Sequence, residues 1–155
     1  MRLESKITIF RTPEQVWSFL GDISNIPKWD RGVESTMATS TRPSGAEGFE
    51  FDTFAPAGMV DGEDRGRMSY RIAEIGPDHC TIQLTSSTGN ARFFKRAEWR
   101  FHIAPATAGT LLTCAADFAF RFRYIILTPI FYALRSAIGR DLLNLKRVLE
   151  DTSLG

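Results

Sequence analysis

The stretch that decides the fold is the C-terminal run 128-TPIFYALRSAIGRDLLNLKRVLED-151. Thr128 followed by Pro129 is a helix start, a capping side chain ahead of a proline whose missing N–H costs nothing in the first turn. Ile130, Leu134, Ile138, Leu142, Leu145 and Leu149 then recur at spacings of four, four, four, three and four. That spacing predicts one amphipathic helix of about six turns, roughly 33 Å long. Gly139 at its midpoint is costly in a helix interior and marks either a bend or a close packing contact. A helix with so long an apolar stripe must lie on another apolar surface, and the rest of the chain decides which.

Upstream the pattern changes to period two. Met68, Tyr70 and Ile72 alternate with Ser69, Arg71 and Ala73, and Trp99, Phe101 and Ile103 alternate with Glu98, Arg100 and His102. Alternation of this kind marks antiparallel strands with one buried and one wet face. Turn residues divide the segment into about six strands, over 33–40, 47–55, 64–75, 79–88, 92–104 and 110–122. A further strand is expected over 3–10. Between it and the others, Thr12-Pro13-Glu14-Gln15 reads as a capping box that opens a short helix ending near Gly21. A second helical turn is expected over Ser24–Lys28. The order is strand, helices, a run of strands, then one helix: an α+β domain spanning 1–155, with a curved antiparallel sheet of about seven strands wrapped on the last helix.

Composition restricts function. The 155 residues carry 19 basic and 18 acidic side chains, a net charge of +1. There is no long-range field to collect nucleic acid, and no nucleic-acid partner is expected. The basic runs Arg65–Arg67, Arg92–Arg100 and Arg121–Arg123 are interrupted and read as solvated strand faces. The most apolar stretch, Tyr124–Ile138, is short and broken by Pro129 and Arg135, so it reads as a buried helix rather than a membrane span. No signal-peptide pattern precedes the first strand, and Cys80 and Cys114 lie in apolar strand patterns without metal-ligand spacing. These features favour a cytoplasmic protein with no metal and no cofactor, monomeric or a homodimer.

The segments "IFRTPEQVW" (residues 9–17), "GDISNIPKWDRGV" (21–33) and "LLNLKRVLED" (142–151) resemble, in order and spacing, the START-like or SRPBCC superfamily, and within it the polyketide cyclase/dehydrase and lipid transport group. With the strands between them the resemblance covers nearly the whole chain. It implies a helix-grip fold, with two small helices after the first strand and a hydrophobic cavity between the sheet and the last helix. Function stays open at this level, because such folds serve carriers, receptors and enzymes alike.

Twelve Phe, three Trp and three Tyr either fill that interior or line a space within it. The expected ligand-facing residues are Trp29, Phe49, Phe51, Tyr70, Ser86, Trp99, Phe101, Phe118, Leu134 and Ile138. The first reading is a binding or transport protein for a small hydrophobic molecule such as a lipid, a polyketide or an isoprenoid. A cyclase or dehydratase is the alternative, and it would draw on Tyr70 as a donor, Lys95 as a base of depressed pKa and Thr53 as a further polar group. Against this, Tyr70 can be a core aromatic with a satisfied hydroxyl, and Lys95 can reach water along its own stem. Asp22 and Asp30 read as capping and turn residues, and His79 and His102 lack partners for a triad or a metal. A third reading is a protein-interaction module using the outer face of the sheet or the segment Tyr124–Tyr132.

Overall fold

The computed structural model describes residues 1–56, 66–87, 94–129 and 136–151. The chain opens with β1 (Arg2–Ile9), α1 (Pro13–Gly21), a 3-10 turn (Ile23–Asn25) and the short α2 (Ile26–Trp29). Six strands follow: β2 (Ser35–Ala38), β3 (Glu50–Phe54), β4 (Arg67–Ile75), β5 (His79–Ser87), β6 (Phe94–Ala106) and β7 (Gly109–Phe120). A 3-10 segment (Phe122–Leu127) leads to α3 (Ser136–Asp151). The strands form one antiparallel sheet of seven, in the order β1-β7-β6-β5-β4-β3-β2. This is the architecture the sequence predicts.

The local reasons are the expected ones. Thr12 Oγ1 accepts from the Gln15 amide at 3.2 Å, and Gln15 Oε1 accepts from the Thr12 amide at 3.0 Å, closing the capping box. α1 ends at Gly21 without a left-handed residue, since Asp22 is extended at φ −94° and instead accepts from the Ser24 amide to start the 3-10 turn. Gly109 in the β6–β7 hairpin does need to be glycine. Its φ is +143°, and a Cβ there would stand 2.1 Å from the Ile9 carbonyl oxygen.

The sheet grips α3 at its C-terminal half. Leu142, Leu145 and Leu149 are buried among Ile9, Val16, Phe19, Phe101, Ile103 and Leu112. Ile138 is partly buried against the same cluster, while Ile130 and Leu134 lie outside the described residues. Polar contacts fix the end of the helix. The Arg11 guanidinium donates to the carbonyls of Leu149 and Glu150 at 3.0 and 2.8 Å, and Lys146 Nζ donates to the Thr8 carbonyl at 2.8 Å. Gly139 faces β1, where a Cβ would meet Ser5 Oγ at an ordinary 3.5 Å.

One expectation is corrected. The apolar stretch from Tyr124 is not a buried helix at its start. Phe122, Ile125 and Ile126 sit in the 3-10 segment with 90%, 61% and 79% of their surface exposed. Residues 130–132 of the Tyr124–Tyr132 segment are outside the described residues.

Candidate functional site: an aromatic cavity under the sheet

A second apolar cluster, Phe49, Phe51, Tyr70, Ile72 and Cys80, lies towards the β2 side of the sheet. Trp17, Trp99 and Ile82 pack against both this cluster and the one around α3. The clusters do not close on each other. Between them is a cavity of about 480 Å³, walled by the inner faces of β3–β6 and roofed by α1, the 3-10 turn and α2. That volume lies within the ~300–1,000 Å³ range of small-molecule sites. The choice left open by the sequence, filled core or lined space, falls to the lined space.

Period two explains most of the wall. Phe51 pairs with Tyr70 across β3 and β4, Ile72 with Ile82 across β4 and β5, and Ile82 with Trp99 across β5 and β6. Residues paired in register share a face, so two neighbouring rows, Phe51–Tyr70 and Ile72–Ile82–Trp99, project inward from the same face of the sheet. Tyr70 stands edge-on to Trp99, ring centroids 5.3 Å apart, and tilted against Phe51 at 5.6 Å. All three tryptophans of the chain, Trp17, Trp29 and Trp99, line the cavity.

The expected site residues divide by position. Trp29, Phe51, Thr53, Tyr70, Trp99 and Phe101 line the cavity. Phe49 is buried one ring further out, 6.0 Å from Phe51. Phe118 is partly buried, stacked on Phe94 at 5.2 Å and edge-on to Trp99 at 5.2 Å, outside the lining. Ile138 belongs to the packing of α3 and Leu134 lies outside the described residues. No described residue of the last helix therefore lines the cavity, which was expected between that helix and the sheet and is covered instead by α1, the 3-10 turn and α2. Ser86 and Lys95 are corrections, since both are exposed and neither reaches the cavity. Lys95 is an extra residue in β6, between the pairs Phe94↔Phe120 and Arg96↔Ala119, and Phe94 takes the inward place instead. Thr85 is likewise extra in β5, so Ser86 pairs with Ser69 on the outer face. A bulge of one residue exchanges the faces beyond it.

The polar groups inside are few. Thr53 Oγ1 donates to the Met68 carbonyl at 3.4 Å. The Tyr70 hydroxyl lies 3.3 Å from Met68 Sδ, and burial, reinforced by the Asp30 carboxylate, holds it far above the ordinary phenol range, so it stays a neutral donor. Cys80 is a free thiol pushed up to about 11 by burial, which removes it as a thiolate nucleophile at neutral pH. His79 and His102 stand outside, grouped around Asp78, with His79 Nδ1 2.8 Å from Asp78 Oδ1 and His102 Nε2 3.5 Å from Asp78 Oδ2. Among the described residues no group of His, Cys, Asp and Glu is arranged to hold a metal ion.

Asp30 is the residue whose place the sequence reading missed. It caps α2 at φ −92°, ψ 109°, and its Oδ1 accepts from the Gly32 amide at 2.8 Å, as a turn residue would. It also lines the cavity, and burial pushes its carboxyl above the ordinary value. Beside it, Trp29 Nε1 is buried with no hydrogen-bond partner among the described residues, and the Trp29 carbonyl accepts from Asn144 of α3 at 3.4 Å. Asp141 on α3, with Asp30 in its field, is raised to about 6, chiefly by burial.

A seven-stranded antiparallel sheet closed on a C-terminal helix over an apolar cavity defines a helix-grip, hydrophobic-ligand-binding fold. The chain belongs to the polyketide cyclase/dehydrase and lipid transport family, whose model matches residues 1–150. Solved structures share the fold at low identity. The protein TTHA0849 from Thermus thermophilus is 14% identical with a TM-score of 0.77, and the match covers 99% of each chain. The Zhui aromatase/cyclase from Streptomyces sp. R1128 is 13% identical with a TM-score of 0.78, covering 100% of this chain and 98% of that one. A START superfamily protein from Mycobacterium smegmatis is 16% identical with a TM-score of 0.69, covering 97% of this chain and 94% of that one. No curated protein matches the sequence. No helix among the described residues is long and apolar enough to cross a membrane.

Proposed function

We propose that the chain binds a small hydrophobic molecule, of lipid, polyketide or isoprenoid type, in the cavity between sheet and helices. The observation that carries this reading is the cavity itself, about 480 Å³ and walled mainly by Trp, Phe, Ile and Leu side chains. Burying an apolar ligand there releases about 25 cal/mol for each Å² of apolar surface removed from water. We take residues 1–155 to act as one domain, in the cytoplasm, as a monomer or homodimer. The buried, unpaired Cys80 and Cys114 support a reducing compartment.

The test uses the tryptophans. Because all three line the cavity, titration with the neutral probe N-phenyl-1-naphthylamine should quench their emission saturably at one site per chain. Ile82→Trp, which adds bulk to the wall, should weaken the probe at least tenfold with the far-ultraviolet spectrum unchanged. Unsaturable quenching, or full affinity in Ile82→Trp, would refute the reading.

A cyclase or dehydratase using the same cavity is the second reading. It is favoured by Tyr70 and Thr53 lining one wall, where the phenol can donate to a carbonyl or enolate oxygen. Lys95, exposed in its bulge, drops out as its base.

A further inference from the structure

We propose that Asp30 is the charge-recognition point of the cavity, and that the molecule held there is a hydrophobic amine: an apolar body carrying one protonated nitrogen. This deepens the binding reading above and rests on it.

Three observations converge. The first is the sign of the lining. Among the described residues, 20 line the cavity; two of them are acidic, Glu14 and Asp30, and none is basic. A carboxylate or phosphate ligand would meet no counter-charge from the described lining and would be repelled by Asp30. The second is the unbalanced state of Asp30. Among the described residues its side chain has one partner, the neutral Gly32 amide, and no ion pair. An inward carboxylate without a cation is costly. Its field reaches outward, adding to the burial that raises Tyr70, Cys114 and Asp141. A cation seated beside Asp30 removes that imbalance. The third is the wall. Trp17, Trp29, Phe51, Tyr70, Trp99 and Phe101 present six aromatic rings to the same space. Ring faces attract an ammonium group, and more strongly when it is desolvated. An aromatic cage with one carboxylate set inside its exposed rim and, among the described residues, no basic side chain suits an ammonium head on an apolar body.

The chain's own sequence builds this arrangement locally. Pro27 sits in the first turn of the four-residue α2, which ends at Trp29 with Asp30 as its C-cap, and Gly32 offers its amide two residues on. A Cβ at Gly32 would approach Asp30 Oδ1 to 3.2 Å, tighter than most contacts, so glycine there keeps the carboxylate in place.

The experiment compares three ligands with one tail, each below its micelle concentration at pH 7.4, followed by tryptophan emission. They are dodecylamine, which is protonated, 1-dodecanol, which is neutral, and dodecanoate, which is anionic. Dodecylamine should bind at least tenfold more tightly than 1-dodecanol, with dodecanoate weakest. Asp30→Asn keeps the shape and the acceptor for the Gly32 amide. It should reduce the amine's advantage over the alcohol to less than twofold and change the alcohol's own affinity less than twofold. Glu14→Gln at the exposed rim should change the advantage by less than threefold. Equal affinities for amine and alcohol in the wild type, tighter binding of dodecanoate, or an advantage that survives in Asp30→Asn would overturn the proposal while leaving the cavity as a binding site. If none of the three binds, the binding reading and this proposal fall together.

Discussion

Asp141→Asn tests the electrostatics around the cavity without touching its wall. Asp141 sits on α3 facing Asp30, and its carboxyl accepts a hydrogen bond from the Arg31 amide. Burial first, then the Asp30 charge, raises its pKa from the ordinary 3.8 to about 6, against the opposing pull of Arg140 and Arg31. The raised value belongs to the folded state, so the folded chain holds this proton more tightly than the unfolded chain. The associated stability is fully present below pH 3.8 and is lost as pH rises through about 6. Above that, the ionised side chain is a net burden. Taken at face value the shift corresponds to about 3 kcal/mol. Asp141 is partly exposed, and solvent screening reduces this to about 1 kcal/mol. Asparagine imitates the neutral form at every pH and keeps an acceptor for the Arg31 amide. Urea unfolding followed by circular dichroism should show Asp141→Asn more stable by about 1 kcal/mol at pH 8 and equal to the wild type near pH 4. Equal stability at pH 8, or a variant less stable there, would refute the raised pKa of Asp141 that burial and the Asp30 charge together produce.

Three substitutions test the framework. Leu145, fully buried among Ile9, Val16 and Leu112, should cost about 2–5 kcal/mol as alanine, read as a lower urea midpoint. Gly109→Ala should cost at least about 2 kcal/mol, because its φ of +143° and the 2.1 Å approach to the Ile9 carbonyl penalise any side chain. Gly139→Ala should act in the opposite direction. The new methyl meets Ser5 Oγ at an ordinary 3.5 Å, and the gain in helix propensity is about 0.8–1 kcal/mol, a rise of about 2–4 °C in Tm.

Much of the fold was legible because local signals agreed with one another. The Thr12–Gln15 box fixed the start of α1, the turn residues separated the strands, and the stripe ending in Leu142, Leu145 and Leu149 specified a helix with one buried face. Agreement across levels of this kind is what lets a sequence select one topology. Gly139 carried two explanations, a bend or close packing, and a propensity argument cannot choose between them. The structure sets it against Ser5 of β1, with room for a methyl. The apolar character of Ile125 and Ile126 said nothing of their surroundings, because hydrophobicity predicts burial only where a partner surface exists.

The site was legible only as far as strand phase could be carried. Phe51, Thr53, Tyr70, Trp99 and Phe101 lie where alternation is unbroken, and each lines the cavity. Lys95 and Ser86 lie beyond single-residue bulges, at Lys95 itself and at Thr85, and parity assigned both to the wrong face. A bulge of this sort leaves no mark in composition. The one clue was in the residues themselves, since inward Lys95 would have placed a cation among rings while leaving the adjacent Phe94 wet. Phe94 is in fact 8% exposed and stacked between Phe118 and Phe120. Burying that ring in place of an ammonium is favourable on both counts, by apolar area and by avoided desolvation. Asp30 escaped notice for a different reason. Its hydrogen bond to Gly32 is a complete local explanation, and only the tertiary position of α2 over the sheet gives the same carboxylate a second face, turned into an aromatic cavity that holds no positive side chain among the described residues. A residue whose local role is already sufficient is where sequence reasoning stops early, and in this chain that residue sets the sign of the charge the cavity can accept.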